Sequence, residues 1–129
     1  MVPLWCLSIA AAIEGATGLA LIIFPQAVCR LLLGADLAGI GIAVGRVAGI
    51  ALLSIGLACW MSREDASKTA ILAAMLNYNP LVTAYLAYLG LGRDLVGVLL
   101  WPAVAIHAVL TILFAYLWFS DRRSKEPVQ

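Results

Sequence analysis

Five residues in this chain could do chemistry where chemistry is least expected: Glu14, Arg46, Asn77, Asn79 and His107 each interrupt a long apolar stretch. A carboxylate can exchange a proton or orient a guanidinium, and a guanidinium or an imidazole can donate to carbonyl oxygens. Ionisable groups are expensive at membrane depth, so each is expected to be paired inside a helix bundle or to line a site.

Depth along each stretch follows from a rise of about 1.5 Å per residue. Glu14 falls about 18 Å along an outward-running helix, and Arg46 about 12 Å from the outer end of the next. In a hydrocarbon core about 30 Å thick these are one level. His107 falls about 18 Å from the outer end of the last stretch, and Asn77 and Asn79 about 12–15 Å from the inner end of the third. All five are therefore expected near mid-membrane, as an intramembrane polar cluster able to bind a ligand.

Small residues flank both charged positions: Ala10, Ala11, Thr17 and Gly18 around Glu14, Ala43 and Gly49 around Arg46. Consecutive helices are usually neighbours, so the spacing predicts a Glu14–Arg46 pair, bidentate where geometry allows. Thr17, Tyr78, Tyr85 and Tyr88 are the expected lining of the pocket. Each residue also has a structural reading. The ion pair can simply hold two helices together. Asn77 and Asn79 can serve the backbone freed by Pro80, and His107 can be a hydrogen-bonded core residue.

Other chemistries find no pattern. With one His, no E-x-x-H pair and no C-x-x-C, no metal site is expected, and a haem would have His107 alone as its ligand. No Ser/His/Asp set or glycine-rich phosphate loop is present, so the chain is not expected to be an enzyme on its own. Cys6, Cys29 and Cys59 form no disulfide framework. Cys6 and Cys59 fall at similar depth on one side, either as buried inert thiols or as a redox pair.

The elements that must position these residues are four spans, at about 2–24, 38–61, 69–92 and 95–119. At 64% hydrophobic the chain lies well above the roughly 45–50% of soluble domains. Four spans of about 20 residues occupy residues 1–120 as one domain, leaving a polar tail over 121–129. A net charge of +1 is no footprint for nucleic acid. The first span starts at Val2 without a preceding Lys or Arg, exceeds a signal-peptide core in length and contains Glu14; a retained helix is expected. The fold class is all-α, a four-helix transmembrane bundle.

Pro25 ends the first helix, and residues 26–33 read as a short interfacial helix with Gln26 and Arg30 on its polar stripe, closed by Gly34. Gly41, Gly45, Gly49 and Gly56 make a small-residue face in the second span, suited to close helix packing. That face serves either the bundle itself or a homodimer. Kinks are expected at Pro80 and Pro102. Basic residues favour one side: Arg63, Lys68, Arg122, Arg123 and Lys125 against Arg30 and Arg93 on the other. Trp5, Trp60 and Trp118 share the basic side as an aromatic belt. Both termini are therefore expected in the cytoplasm, with the protein in a bacterial inner membrane.

The run Glu14-Gly15-Ala16-Thr17-Gly18, then Pro25 and a leucine-rich turn to Gly34, then Gly45-Arg46-Val47-Ala48-Gly49 leading to Gly56-Leu57, resembles the DoxX-like group of small four-helix membrane proteins. The likeness covers mainly residues 10–57. It implies a bundle with a membrane partner, an accessory-subunit role, and a link to quinone-dependent oxidoreductases. A second likeness is to the small multidrug resistance transporters, through the membrane-embedded glutamate of helix one, here in Ala12-Ile13-Glu14-Gly15. It departs in helix three, which lacks the aromatic-glycine signature, and in Arg46, which would compete with a cationic substrate. Three functions follow as expectations: a pocket for a small ligand such as a quinone or for a membrane partner, proton-coupled transport through Glu14, or a purely structural subunit.

Overall fold

The computed structural model describes residues 4–63 and 68–123. Residues 1–3, the charged segment 64–67 and the tail from 124 onward lie outside the described residues. Five helices follow in order: α1 (Leu4–Ile23), α2 (Pro25–Leu33), α3 (Ile40–Ser62), α4 (Lys68–Gly92) and α5 (Leu100–Arg123). No strand occurs among the described residues. α1, α3, α4 and α5 are each long and apolar enough to cross a membrane. The all-α bundle of four spans expected from the hydropathy pattern is the observed architecture.

Several boundaries move. The last span begins at Leu100 rather than 95, because the chain forms a loop over 93–99, where Arg93 has a positive φ of 64°. Pro102 therefore sits in the first turn of α5. There a missing N–H breaks no helical bond, which removes the cause of the expected kink. Pro80 is enclosed in an uninterrupted α4. α5 continues to Arg123, three residues into the tail assigned from composition.

The bundle is built from two pairs, α1 with α3 and α4 with α5. Lipid is as apolar as leucine, so helices associate in it through van der Waals contact, and small residues allow the closest approach. The first pair uses this fully. A methyl group on Gly18 would lie 2.6 Å from the Gly49 carbonyl oxygen and 2.6 Å from the Leu53 nitrogen, and one on Gly56 would lie 2.8 Å from the Gly15 nitrogen. Backbone touches backbone at both points. Gly41 and Gly45 do something else: they face the Leu37 side chain, with Pro25 also beside Gly45. The glycine face of α3 is thus divided between α1 and the α2 end of the molecule.

The two pairs join at the end that holds the start of α1 and the end of α5. Cys6, Leu7, Ala10 and Ala11 of α1, Cys59 of α3, Leu72 and Met75 of α4, and Leu110, Phe114 and Leu117 of α5 make one buried cluster there. Cys6 and Cys59 are both within it, as free thiols. At the opposite end α2 lies over the bundle. Pro25 starts it, where no N–H is needed, and Gly34 stops it in the left-handed conformation (φ 71°). Its last carbonyls would lack partners away from water. The α4–α5 loop supplies them: Gly97 N–H donates to Leu32 O (3.1 Å) and Leu99 N–H to Leu31 O (2.8 Å). This fastens α2 to the second pair and places it over the gap between the pairs.

Candidate functional site between the helix pairs

Between the closed core and α2, the pairs leave a cavity of about 570 Å³, within the roughly 300–1,000 Å³ of ligand sites. Its walls are mainly apolar, with Ile13, Ala20, Leu52, Val82, Leu86 and Ile106 among them; Val28, Cys29 and Leu32 of α2 close the far side. Glu14, Thr17, Tyr78 and His107 bring the polar groups.

Helical periodicity explains why these residues meet. Tyr78, Val82 and Leu86 repeat every fourth residue along α4 and so line one face. Glu14 and Thr17, three apart, do the same on α1, and Ala103 and His107, four apart, on α5. Asn79 is rotated about 100° from Tyr78, toward the α4–α5 contact, where it is completely buried. Its neighbour Asn77, a further two positions back, turns outward and is exposed.

The hydrogen bonds determine a tautomer. Asn79 Nδ2 donates to the Met75 carbonyl at 2.9 Å. That oxygen can only accept, so the amide oxygen Oδ1 is the atom that meets His107 Nδ1, at 2.9 Å. An amide oxygen can only accept, so Nδ1 carries the proton, and in the neutral ring Nε2 is left as an acceptor. Thr111 and Thr83 back-bond to the carbonyls of His107 and Asn79, each at 2.8 Å. The Tyr78 ring stands edge-on to the imidazole, with centroids 5.8 Å apart and planes at 81°. Tyr78 Oη in turn donates to Glu14 Oε2 at 3.3 Å.

Glu14 is the atypical member. The residue is only 2% exposed, and its Oε1 has no hydrogen-bond partner among the described residues. A buried acceptor without a donor costs about 1–3 kcal/mol, more if charged. Glu14 is among the residues that line the cavity, so a turn of its side chain would offer this orphaned oxygen to a ligand donor.

Arg46 is not that donor. The expected Glu14–Arg46 pair does not form: Arg46 is exposed and lines a separate groove beside α2. The reason is register. Gly56 touches the Gly15 backbone, which puts Glu14 level with the region around Gly56 on α3. Arg46 is ten residues away, about 15 Å along the axis. Equal depth assumed that α1 and α3 end at one height. The chain instead climbs through α2 before α3 begins, so α3 starts higher than α1 stops. Tyr85 and Tyr88 are likewise exposed, at 63% and 72%, and do not line the cavity.

Of the residues singled out by type, Glu14, Thr17, Tyr78 and His107 line the cavity, with Asn79 behind His107; Arg46, Asn77, Tyr85 and Tyr88 are elsewhere. Sequence reasoning passed over the apolar wall and Cys29. The four-residue repeat Tyr78-Val82-Leu86 was the available signal for the wall. Among the described residues no three His, Cys, Asp or Glu side chains cluster to hold a metal. No protein family, curated protein or solved structure matches this chain.

Proposed function

We propose that this protein is a membrane-embedded binding protein for a small, mostly apolar molecule whose head group donates hydrogen bonds, held between the two helix pairs with Glu14 as its anchor. The observation that carries this reading is a buried carboxylate with one unpartnered oxygen, Glu14 Oε1, on a residue that lines a mainly apolar cavity. His107 Nε2 is the second acceptor. Two acceptors favour a quinol over a quinone: the reduced ring carries two hydroxyl donors, whereas the oxidised ring offers only carbonyl oxygens. The likeness of residues 10–57 to the DoxX-like group supports a quinone-linked, accessory role. The excess of basic residues and the Trp60 and Trp118 rings at one end support an inner-membrane protein with both termini in the cytoplasm. Arg63 and Arg122 stack on those rings, at 3.5 and 4.7 Å from their centroids.

Decylubiquinol and decylubiquinone are the probes. The full chain in detergent is expected to bind the reduced form at least about tenfold more tightly, the equivalent of 1.4 kcal/mol or one hydrogen bond. Glu14→Leu is expected to elute as a folded species and to lose a similar factor for the quinol. Equal affinity for both redox forms, or a Glu14→Leu protein that binds quinol like the parent, would refute the proposal.

A second reading has its own support. With Arg46 on another level, no cation competes for Glu14, which is the condition for exchanging a proton against a cationic substrate. Uptake of tetraphenylphosphonium into proteoliposomes, driven by a pH gradient and abolished in Glu14→Gln, would favour transport over the binding role. Absence of such uptake, with quinol bound, leaves the binding role standing.

A further inference from the structure

A second concavity, of about 870 Å³, lies on the outside of the molecule between α2 and the first turns of α3. It shares only Leu31 with the inner cavity. Its polar lining is Gln26, Arg30, Asp36 and Arg46, and its apolar lining includes Ile23, Phe24, Leu37 and Ile42. Arg30 is held by Asp36: Nε donates to Oδ1 at 2.8 Å and Nη2 lies 2.5 Å from the same oxygen. Arg46 has no ion-pair or hydrogen-bond partner among the described residues. Two guanidiniums and one carboxylate leave the groove with one positive charge in excess.

Placement gives this charge a meaning. Arg46 lies six residues, about 9 Å, inside the start of α3, on the level of Pro25, where α1 gives way to α2. That is near the edge of an apolar slab, within reach for a long side chain to bring its charged end to the interface. α2 shows Gln26 and Arg30 outward and keeps Val28 and Leu32 against the bundle, the arrangement of a helix lying in the interface plane.

We infer that this groove seats an anionic phospholipid, its phosphodiester on Arg46 and Arg30 and its acyl chain along Ile23, Phe24 and Ile42. The single negative charge of a phosphodiester matches the excess charge. A guanidinium fork matches phosphate oxygens in pairs, and the apolar residues below accept a chain rather than water. A free phosphate ion would share the polar contacts but would leave the apolar lining without an occupant. This inference stands independently of the inner cavity and of what binds there.

The test is lipid retention by the full chain, measured by native mass spectrometry after titration with dioleoyl phosphatidylglycerol or dioleoyl phosphatidylcholine. The parent is expected to keep one phosphatidylglycerol and to prefer it over phosphatidylcholine. Arg46→Gln is expected to lower that retention about tenfold. Arg122→Gln, at the opposite end of the bundle, is expected to leave it unchanged. Inorganic phosphate at millimolar concentration is expected neither to bind nor to displace the lipid. Should Arg46→Gln not yield folded protein, Arg30→Gln serves: it leaves Asp36 unopposed beside Arg46, removes the excess charge, and is expected to cause a comparable loss. Unchanged retention in the variant that folds, equal retention of the two lipids, or displacement by phosphate would each overturn the assignment.

Discussion

Helix α1 presents two faces that solve opposite problems. One, through Gly15 and Gly18, meets α3 so closely that backbones touch; the other, through Glu14 and Thr17, borders a space that no side chain fills. Neighbouring positions in sequence thus belong to the tightest and the loosest parts of the molecule. In lipid no hydrophobic drive closes a gap between helices. A gap persists wherever packing elsewhere has already satisfied the bundle. Here the α1–α3 glycines and the core around Phe114 hold the pairs together, and α2 bridges the far end. The middle is left open without threatening the fold. Rigidity on one face of α1 is what permits an unsatisfied carboxylate on the next.

The largest effect should come from breaking the tight face. Gly18→Leu has nowhere to go, since the atoms opposing it are the backbone of Gly49 and Leu53. A loss of about 3 kcal/mol, the upper end for overpacking, is expected in a denaturation experiment on detergent-solubilised protein. Gly45→Leu is expected to cost about 1 kcal/mol, near the low end of that range, because the opposing Leu37 side chain can shift. If Gly45→Leu proved the worse of the two, the α1–α3 contact would not be what holds the first pair.

The loose side should break more gently. Asn79 makes two hydrogen bonds within the α4–α5 contact, to Met75 O and His107 Nδ1. Asn79→Leu keeps most of the volume but leaves the imidazole N–H without an acceptor. A loss of about 1–2 kcal/mol is expected. It should be accompanied by weaker quinol binding, because the ring is then free to carry its proton on Nε2 and turn an acceptor into a donor. A variant that loses stability but binds quinol normally would show that the tautomer does not matter to the cavity.

The spans were legible because length and apolar content report on the bilayer directly, and Pro25 and Gly34 marked α2 because their backbone constraints are local. Rotation about a helix axis was legible only in part. Tyr78, Val82 and Leu86 share a face by arithmetic, yet nothing in α4 says which face meets α5, since its apolar residues run nearly all round. Asn77 and Asn79 therefore looked equivalent although they point in different directions. The vertical register of α1 on α3 was illegible for a different reason. It depends on how far α2 and its loop lift the start of α3, and the end of α2 is itself held by residues 96–99, distant in sequence. An error of about ten residues in register turned Arg46 from a partner of Glu14 into part of another groove.

The smallest expected effect tests that register most directly. Two double-mutant cycles share Glu14→Gln: one adds Tyr78→Phe, the other Arg46→Gln. Hydrogen bonds between membrane helices contribute about 0.6 kcal/mol on average in such cycles, and the 3.3 Å Tyr78–Glu14 contact is long for an O–H donor. A coupling of about 0.5 kcal/mol is therefore expected for Tyr78 with Glu14. Arg46 lies about 15 Å away along the axis, beyond the roughly 7–10 Å past which mutational effects are usually additive, so its coupling should vanish within error. The two cycles control each other, because any general effect of losing the Glu14 charge enters both. Coupling to Arg46 that exceeded coupling to Tyr78 would mean that α3 slides on α1 to bring guanidinium and carboxylate together. It would also place Arg46 beside Glu14 and leave the outer groove without its unpaired cation.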